Sequence, residues 1–276
     1  MIDLLRLCRW YYAGPMALIL TLTIWYALGD EIAGRWGEAW LATAALALVV
    51  AGGYVLNDVC DREVDRVNAP ERPIAAGRVS PRIATLWAAG MMVGGLVAAA
   101  FCGERFFAGM FALAGGLVFY DLASKRLGIG KQLVIAVLMT SIYPLAFLFA
   151  GTATGSSVGT LYIFPVWLFL TSFGYEALKD IRDSAGDQAA TSIRTWIQRD
   201  PQLALRVARA AVILGALALI GPGFTGCGWV YLGVIPIAIG LAAWSAFLPP
   251  RRAIVAIYLE CVMVGIAAVM DIGTNN

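Results

Sequence analysis

Two short acidic motifs stand out in this sequence, each at the end of a long apolar segment. The first motif, NDVCDREVD, spans residues 57–65, and the second motif, EALKDIRDSAGD, spans residues 176–187. Carboxylates gathered at the edge of apolar helices are unfavourable unless a cation binds them. The motifs therefore predict a site for a cation and for whatever that cation carries.

The spacing within each motif places its polar side chains on one face of a helix. The first set spans an arc of about 100° if its helix continues past the membrane edge, and the second spans about 60°. The sets are Asn57, Asp58, Asp61 and Asp65, and Glu176, Asp180, Asp183 and Asp187. Like charges at this spacing repel, and Mg²⁺ removes the repulsion because it prefers carboxylate ligands. Since Mg²⁺ usually also binds substrate phosphates, two facing stripes predict metal ions that bridge to a diphosphate.

The alternative interpretation is that these carboxylates are solvated charges with basic neighbours, such as Arg62, Arg66 and Lys179. Isolated charges near a membrane surface usually are. That interpretation does not explain why the side chains stack on one face at two separate places, so we favour the metal site.

The segments that carry the motifs are predicted membrane helices. Of the 276 residues, 61% are hydrophobic and only 14% are charged, which is typical of an integral membrane protein. Nine apolar stretches lie near the ~20 residues that a spanning helix needs, so we predict an all-α polytopic bundle. The stretches are Trp10–Leu28, Trp40–Leu56, Ile83–Phe101, Phe106–Tyr120, Leu133–Gly151, Thr160–Leu178, Leu203–Gly221, Trp229–Leu248 and Ala253–Met270.

The distribution of basic residues predicts the orientation. With nine spans and a cytoplasmic N-terminus, Arg35 and Arg105 are the only basic residues left in outer loops. The positive-inside rule then places the N-terminus and both motifs in the cytoplasm and the C-terminus outside. We expect a multi-pass protein of a bacterial inner or plasma membrane, with membrane lipid around it and no nucleic-acid partner.

The chain lacks histidine, which excludes a His ligand, a His general base and a Ser–His pair. Its five cysteines show no Cys-x-x-Cys spacing, so they do not predict a zinc site or a disulfide framework.

A weak internal repeat relates the two motifs. Asp58 and Asp180 lie 122 positions apart, each at the end of an apolar segment, with four spans between the equivalent points. This predicts a parallel duplication of four-helix units with a ninth helix added, in which helices two and six face each other. No linker divides the chain, so residues 1–276 are expected to form one domain.

The motifs resemble the signatures of the UbiA family of membrane prenyltransferases. NDVCDREVDRVNAPERPIAAGRVS is similar to the first signature, an Asn-x-x-x-Asp-x-x-x-Asp core followed by Arg-Pro-Ile and Gly. KDIRDSAGD is similar to the second, Asp-x-x-x-Asp, as Asp183 and Asp187 with Asp180 before them. Helix number, motif placement and motif order also agree. The resemblance implies an enzyme that uses Mg²⁺ to transfer an isoprenoid from its diphosphate to a small acceptor, often aromatic.

The resemblance also implies roles for individual residues. The metal ligands would be Asn57, Asp58, Asp61, Asp65, Asp180, Asp183 and Asp187. The residues that bind the diphosphate would be Asn57, Arg72, Arg78, Lys125, Arg126, Tyr175 and Lys179. The catalytic residues would be Asp61, Asp65, Asp183, Asp187 and Lys179. A Tyr-x-x-x-Lys element fits Tyr175/Lys179, whereas Tyr120/Lys125 is one residue longer, so the pair that contacts the diphosphate stays open.

The acceptor is also open at this stage. We expect an aromatic quinone precursor such as 4-hydroxybenzoate, with a glycerol-phosphate lipid or a tetrapyrrole alcohol as alternatives. A rival of another class is a membrane cation transporter, for which only Glu260 is placed near the midplane, either as a functional group or as a locally paired carboxyl. A structural subunit would give no reason for the aligned polar groups.

Overall fold

The computed structural model describes residues 2–123, 127–155, 157–190 and 195–275, with the backbone alone for 185–190 and 275. Its regular elements in these ranges are all helices, with no strand, which confirms the predicted all-α membrane bundle. The helices are α1 Ile2–Leu7, α2 Trp10–Leu28, α3 Trp36–Cys60, α4 Arg62–Asn68, α5 Pro81–Ala100, α6 Glu104–Ala123, α7 Gly130–Thr140, α8 Ile142–Ala150, α9 Phe164–Ala190, α10 Trp196–Arg199, α11 Pro201–Ala218, α12 Trp229–Ser245 and α13 Pro250–Asn275.

Within the described ranges, eight helical segments are long and apolar enough to cross a membrane. One of them, Gly130–Ala150, joins α7 and α8 across a break at Ser141. Pro144 explains the break, because its nitrogen cannot donate to the carbonyl four residues earlier. The predicted eighth span, Trp229–Leu248, corresponds to α12, a shorter apolar helix of 17 residues that is not among these eight. The count of nine therefore stays a prediction.

The two motif-bearing helices end differently from each other. α9 continues to Ala190, well past the predicted end of its apolar segment, so the second motif lies on one continuous helix. The first motif is divided between α3 and α4, which meet at Asp61. The backbone N–H of Asp65 still donates to the Asp61 carbonyl at 2.8 Å. The predicted single stripe is thus interrupted at Asp61, although the chain keeps its helical direction.

The internal repeat is visible in how the helices pack. α3 packs extensively on α5, and α9 packs on α11. At Gly52 of α3, a Cβ atom would lie 2.9 Å from the carbonyl oxygen of Ala88 on α5; at Gly174 of α9, it would lie 2.6 Å from the carbonyl oxygen of Ala208 on α11. The two helix pairs approach each other at equivalent glycines, as a duplicated four-helix unit requires.

The repeat does not bring α3 and α9 into extensive contact. α9 packs instead on α4, α7, α11 and α13, while α3 packs on α2, α5 and α6. The prediction that helices two and six pack face to face therefore needs correction, because α4, which carries the second part of the first motif, makes the contact with α9 in place of α3. Both motifs nevertheless lie on one side of the bundle, which we call the motif side.

Candidate active site

The first motif forms a hydrogen-bonded group with the end of α6. Asn57 Nδ2 donates to Asp61 Oδ2 at 3.2 Å and to Asp121 Oδ1 at 3.1 Å. Asp121 is buried, and its Oδ2 has no hydrogen-bond partner among the described residues. A buried carboxylate oxygen without a partner is unfavourable, so this group is suited to binding a further donor or a cation.

The other two carboxylates of the first motif are paired with arginines. Asp58, 3% exposed, forms an ion pair with Arg9 and accepts a longer contact from Arg72 Nη1 at 3.5 Å. Asp65 accepts from the same Nη1 at 2.6 Å. Burial raises the pKa of Asp65, and Arg72 partly offsets that rise. Burial lowers the pKa of Arg72, but the carboxylates around it outweigh this effect and leave that pKa above its usual value.

The loop between α4 and α5 fixes the position of Arg72. Its N–H donates to the Ala69 carbonyl at 3.0 Å, and its own carbonyl accepts from Ala76 N at 2.8 Å. Pro70 and Pro73 flank it and restrict the backbone of this turn. The guanidinium is therefore held beside the first motif by a tight turn rather than by a helix.

Two acidic residues of the second motif are paired with lysines. Glu176 is buried and accepts from Lys179 Nζ at 2.7 Å and from the Tyr120 hydroxyl at 3.0 Å. Asp180 accepts from Lys131 Nζ and from Gln132 Nε2, both in the first turn of α7. The buried Glu176 and the half-buried Asp180 are thus balanced by ammonium groups from α9 itself and from α7.

The two motifs line one common site. Asn68 Nδ2 on α4 donates to the backbone carbonyl of Asp183 on α9 at 3.1 Å. The Tyr120 hydroxyl donates to Glu176 of the second motif, and the next residue of α6, Asp121, accepts from Asn57 of the first motif. The end of α6 therefore connects the two acidic groups.

Tyrosine rings form a wall beside this site. Tyr12 of α2 lies 6.1 Å from the Tyr54 ring and 5.9 Å from the Tyr258 ring, measured between centroids. The Arg9 guanidinium lies 5.4 Å from the Tyr54 centroid, and Tyr175 interacts with Tyr12. Such a wall presents π-faces to a cation next to the acidic groups.

The structure brings most of the predicted site residues together. Asn57, Asp58, Asp61 and Asp65 lie with Arg72 on one side of the site. Asp180, Asp183, Tyr175 and Lys179 lie together on α9, and the Lys179 ammonium is 5.9 Å from the Tyr175 ring centroid. Asp183 is bound by the neighbouring Arg182 through two contacts of 2.7 Å.

Other predicted residues do not join the site as described. Arg78 points away from both motifs, because its guanidinium donates to the Glu71 carbonyl at 2.7 Å and pairs with Asp3 at 3.4 Å. Lys125 and Arg126 lie outside the described residues, and so does the side chain of Asp187. Their proposed contacts with a diphosphate or a metal stay predictions.

Four residues of the site were missed by reasoning from the sequence: Arg9, Asp121, Lys131 and Gln132. Asp121 did carry a signal, since it is an acidic residue at the end of an apolar segment. Arg9 and Lys131 look in the sequence like ordinary basic residues at helix ends, and only the fold places them beside carboxylates.

Glu260 lies apart from the motifs. It is fully buried, and its Oε1 accepts from Trp167 Nε1 at 2.8 Å. Trp167 precedes Glu176 by nine residues on α9, which is about 14 Å along the helix axis. One oxygen of Glu260 is thus paired locally, whereas its Oε2 has no hydrogen-bond partner among the described residues, so its role stays a prediction.

Comparisons with known proteins identify the chain. The sequence model of the UbiA prenyltransferase family matches residues 17–257. The chain belongs to the UbiA prenyltransferase family. This prenyltransferase is 39% identical to the digeranylgeranylglyceryl phosphate synthase of Methanopyrus kandleri over 213 residues, which cover 74% of the chain and 75% of the relative.

Solved structures of UbiA homologs share the fold. The apo structure of a homolog from Aeropyrum pernix K1 is 18% identical, with a TM-score of 0.77 over 94% of this chain and 96% of that one. A homolog from Archaeoglobus fulgidus bound to GPP and Mg²⁺ is 15% identical, with a TM-score of 0.69 over 99% and 100% of the two chains.

The residues of this UbiA prenyltransferase fit a hard divalent cation. The available ligands are carboxylate oxygens and the Asn57 amide oxygen, which Mg²⁺ prefers, and one Asp121 oxygen is buried without a partner. In the part of the chain that is described, no three acidic or cysteine side chains converge as they stand on one ion position. Asp58, Asp65 and Asp180 hold Arg9, Arg72 and Lys131 instead, so these three carboxylates would bind a metal ion only after their ion pairs open.

Proposed function

We propose that this prenyltransferase transfers a prenyl group from an isoprenoid diphosphate to the hydroxyl of a glycerol-phosphate lipid, with Mg²⁺ as cofactor. The observation that carries the choice of acceptor is the similarity to a digeranylgeranylglyceryl phosphate synthase over three quarters of both chains. The same similarity favours the lipid over our first expectation, 4-hydroxybenzoate, and over a tetrapyrrole alcohol. Membership of a prenyltransferase family also removes the transporter alternative.

The site supports diphosphate binding through an exchange of partners. We propose that Asn57, Asp61 and Asp121 on one side and Asp180 and Asp183 on the other hold Mg²⁺. Bound Mg²⁺ neutralises charge that develops on the departing diphosphate. Lys131 is released from Asp180 and donates to the phosphate oxygens, together with Arg72 and Lys179, which exchange contacts with Asp65 and Glu176 for contacts with the diphosphate.

Transfer follows from this arrangement. The allylic C–O bond to the diphosphate breaks, and the tyrosine wall stabilises the positive charge left on the prenyl carbon. The apolar helices exclude water from that carbon. The acceptor hydroxyl oxygen forms the new C–O bond, and its proton leaves with the diphosphate or with a site carboxylate.

The proposal is tested by turnover with purified protein. Geranyl, farnesyl and geranylgeranyl diphosphate are each offered with a glycerol-phosphate lipid, with 4-hydroxybenzoate and with no acceptor. We expect the lipid to be prenylated in the presence of Mg²⁺ and not in EDTA. Asp61→Ala and Asp183→Ala should each abolish turnover. Efficient prenylation of 4-hydroxybenzoate with an inert lipid would overturn the acceptor, and full activity of either variant would remove that residue from the metal site.

A further inference from the structure

An open pocket of ≈ 480 Å³ lies where α1 meets α2, on the motif side. Its lining combines two guanidinium groups with apolar and aromatic side chains. The lining residues are Ile2, Leu5, Arg6, Arg9, Trp10 and Tyr11. Such a lining fits an amphiphile, with an anionic head at the arginines and hydrocarbon against the other four residues.

One of the two arginines links this pocket to the acidic site. Arg9 lines the pocket and is also the ion-pair partner of Asp58 in the first motif, with only 15% of its side chain exposed. The same guanidinium lies over Tyr54 in the tyrosine wall. An anion held by Arg9 would therefore lie directly beside the groups proposed to carry out transfer.

Packing holds Arg9 firmly in this position. Its backbone is left-handed, with φ of +46°, which residues other than glycine rarely adopt. The preceding Cys8 is fully buried, where its sulfur accepts from Trp87 Nε1 at 3.5 Å and lies 3.6 Å from the sulfur of Met91. The contacts of this junction with α5 hold the backbone in this conformation. They therefore fix the position of the Arg9 guanidinium before any ligand binds.

The second arginine is available to a ligand. The Arg6 side chain is 68% exposed, and its contact is a 3.5 Å pair with Asp3. Asp3 is shared with Arg78, at 3.4 Å. An exposed pair of this kind is weak, so an incoming phosphate competes readily for Arg6. The neighbouring Trp10 and Tyr11 are themselves exposed, so the apolar part of the pocket is accessible from outside the bundle.

We infer that this pocket binds the phosphate of the glycerol-phosphate acceptor through Arg6 and Arg9, with the lipid chain against Ile2, Leu5, Trp10 and Tyr11. The inference rests on the proposed function and adds the place from which the acceptor approaches. The pocket adjoins the first motif. An acceptor hydroxyl close to the bound phosphate therefore reaches the acidic site, while the lipid chain of the acceptor stays against the apolar residues of the pocket.

The test is equilibrium binding of geranylgeranylglyceryl phosphate to the full chain in detergent, without donor. This lipid is the compound named by the relatives less one geranylgeranyl group. Arg6→Gln should weaken its binding about 10-fold or more, since a charge-assisted contact to phosphate is lost. The matched control is Arg82→Gln, which removes an exposed arginine from the first turn of α5 and should leave binding unchanged.

A second ligand separates phosphate recognition from general lipid attachment. The dephosphorylated alcohol should bind wild type and Arg6→Gln equally, and more weakly than the phosphate binds wild type. Unchanged phosphate binding in Arg6→Gln would overturn the inference. So would an equal loss for phosphate and alcohol, which would make α1 a membrane-surface helix only.

The same preparations distinguish this inference from the proposed function. Arg6-dependent binding with no transfer to the lipid would keep the pocket and overturn the proposed reaction. Transfer to the lipid, with lipid binding that is the same in wild type and Arg6→Gln, would support the proposed reaction and contradict the proposed role of the pocket.

Discussion

At the scale of single residues, the site is a set of carboxylates that already have partners. Asp58 and Asp65 share Arg72, and Asp180 holds Lys131. Taking such charges out of water is unfavourable, and the ion pairs offset that cost without any metal. We therefore expect Mg²⁺ alone to bind weakly and to bind well only with a diphosphate, which accepts the released cations. Calorimetric titration of Mg²⁺ with and without a non-reacting diphosphate measures this, and equal affinity in both titrations would contradict it.

Asp121 provides a sharper test, because its charge is buried and one oxygen lacks a partner among the described residues. Asp121→Asn keeps the shape and still accepts from Asn57, but removes the negative charge. We expect kcat to fall about 100-fold, as for the loss of a metal-binding or charge-stabilising group. The control is Asp30→Asn, an exposed acid in the turn after α2. A change of less than about twofold in Asp121→Asn would exclude it from the site.

Arg72 predicts a pH-dependent stability effect. Burial already raises the pKa of Asp65, and Arg72 limits that rise. In Arg72→Gln the pKa of Asp65 rises further, so the folded state is penalised above that pKa and relieved as the carboxyl is protonated. The deficit in Tm against wild type should be large at pH 8 and shrink at pH 5. Arg78→Gln, which breaks an exposed pair with Asp3, should show no such trend.

Sequence reasoning identified the acidic ligands better than their partners. The acidic residues of the motifs can be identified from the sequence because carboxylates are rare beside apolar segments. Arg9 and Lys131 cannot be identified in this way, since basic residues at helix ends are common and usually only set the orientation of the protein in the membrane. Their role depends on which helices become neighbours, namely α2 with α3 and α7 with α9, and no local pattern in the sequence fixes that.

At the scale of helices, close glycine contacts hold each half together. Gly174→Ala places a Cβ atom 2.6 Å from the Ala208 carbonyl oxygen, a backbone atom that cannot turn aside. We expect α9 and α11 to separate, at a cost of about 1–3 kcal/mol in the free energy of unfolding. Thermal unfolding in detergent measures the loss. Gly115→Ala, on α6, meets no atom within 4 Å and is the control; equal Tm values for the two variants would contradict the packing argument.

The positions of the helices could be predicted from hydropathy, but not all of their ends could. α2 runs from Trp10 to Leu28 as predicted, because its boundaries coincide with a change from apolar to polar residues. α9 continues for twelve residues beyond the predicted end at Leu178, since a polar helix can be held by packing on α4 and α7. The interruption of the helix at Asp61 could not be predicted from the sequence either, because it depends on the packing of α4 on α9.

At the scale of the whole molecule, the orientation in the membrane is the main open prediction. The distribution of basic residues predicts that the motif side faces the cytoplasm. A cysteine introduced at Glu71 on the motif side should be protected from an impermeant thiol reagent in intact cells and labelled after lysis. A cysteine at Glu31, exposed in the turn after α2, should be labelled in intact cells. The reverse pattern would invert the topology.

The fold and reaction class were predictable because the motifs and the nine apolar stretches are properties of the chain itself. The acceptor was not, and the first expectation of an aromatic ring gave way to a lipid. In the proposed function the carboxylates and basic groups of both motifs act on the diphosphate, which is common to every acceptor. The residues that we propose to recognise the acceptor, such as Arg6, lie outside the motifs, where the sequence carries no fixed spacing.

The duplicated halves have one further consequence. If the two halves were identical, a bound molecule could lie between them in either of two equivalent orientations. Here Asp58 and Asp65 of the first half pair with the guanidiniums of Arg9 and Arg72. In the second half Glu176 and Asp180 pair with the ammonium groups of Lys179 and Lys131, and Asp183 pairs with the guanidinium of Arg182. A guanidinium presents planar N–H donors, whereas an ammonium acts as a point charge. Under the proposed function, we expect this difference between the halves to hold the pyrophosphate ester in a single polarity.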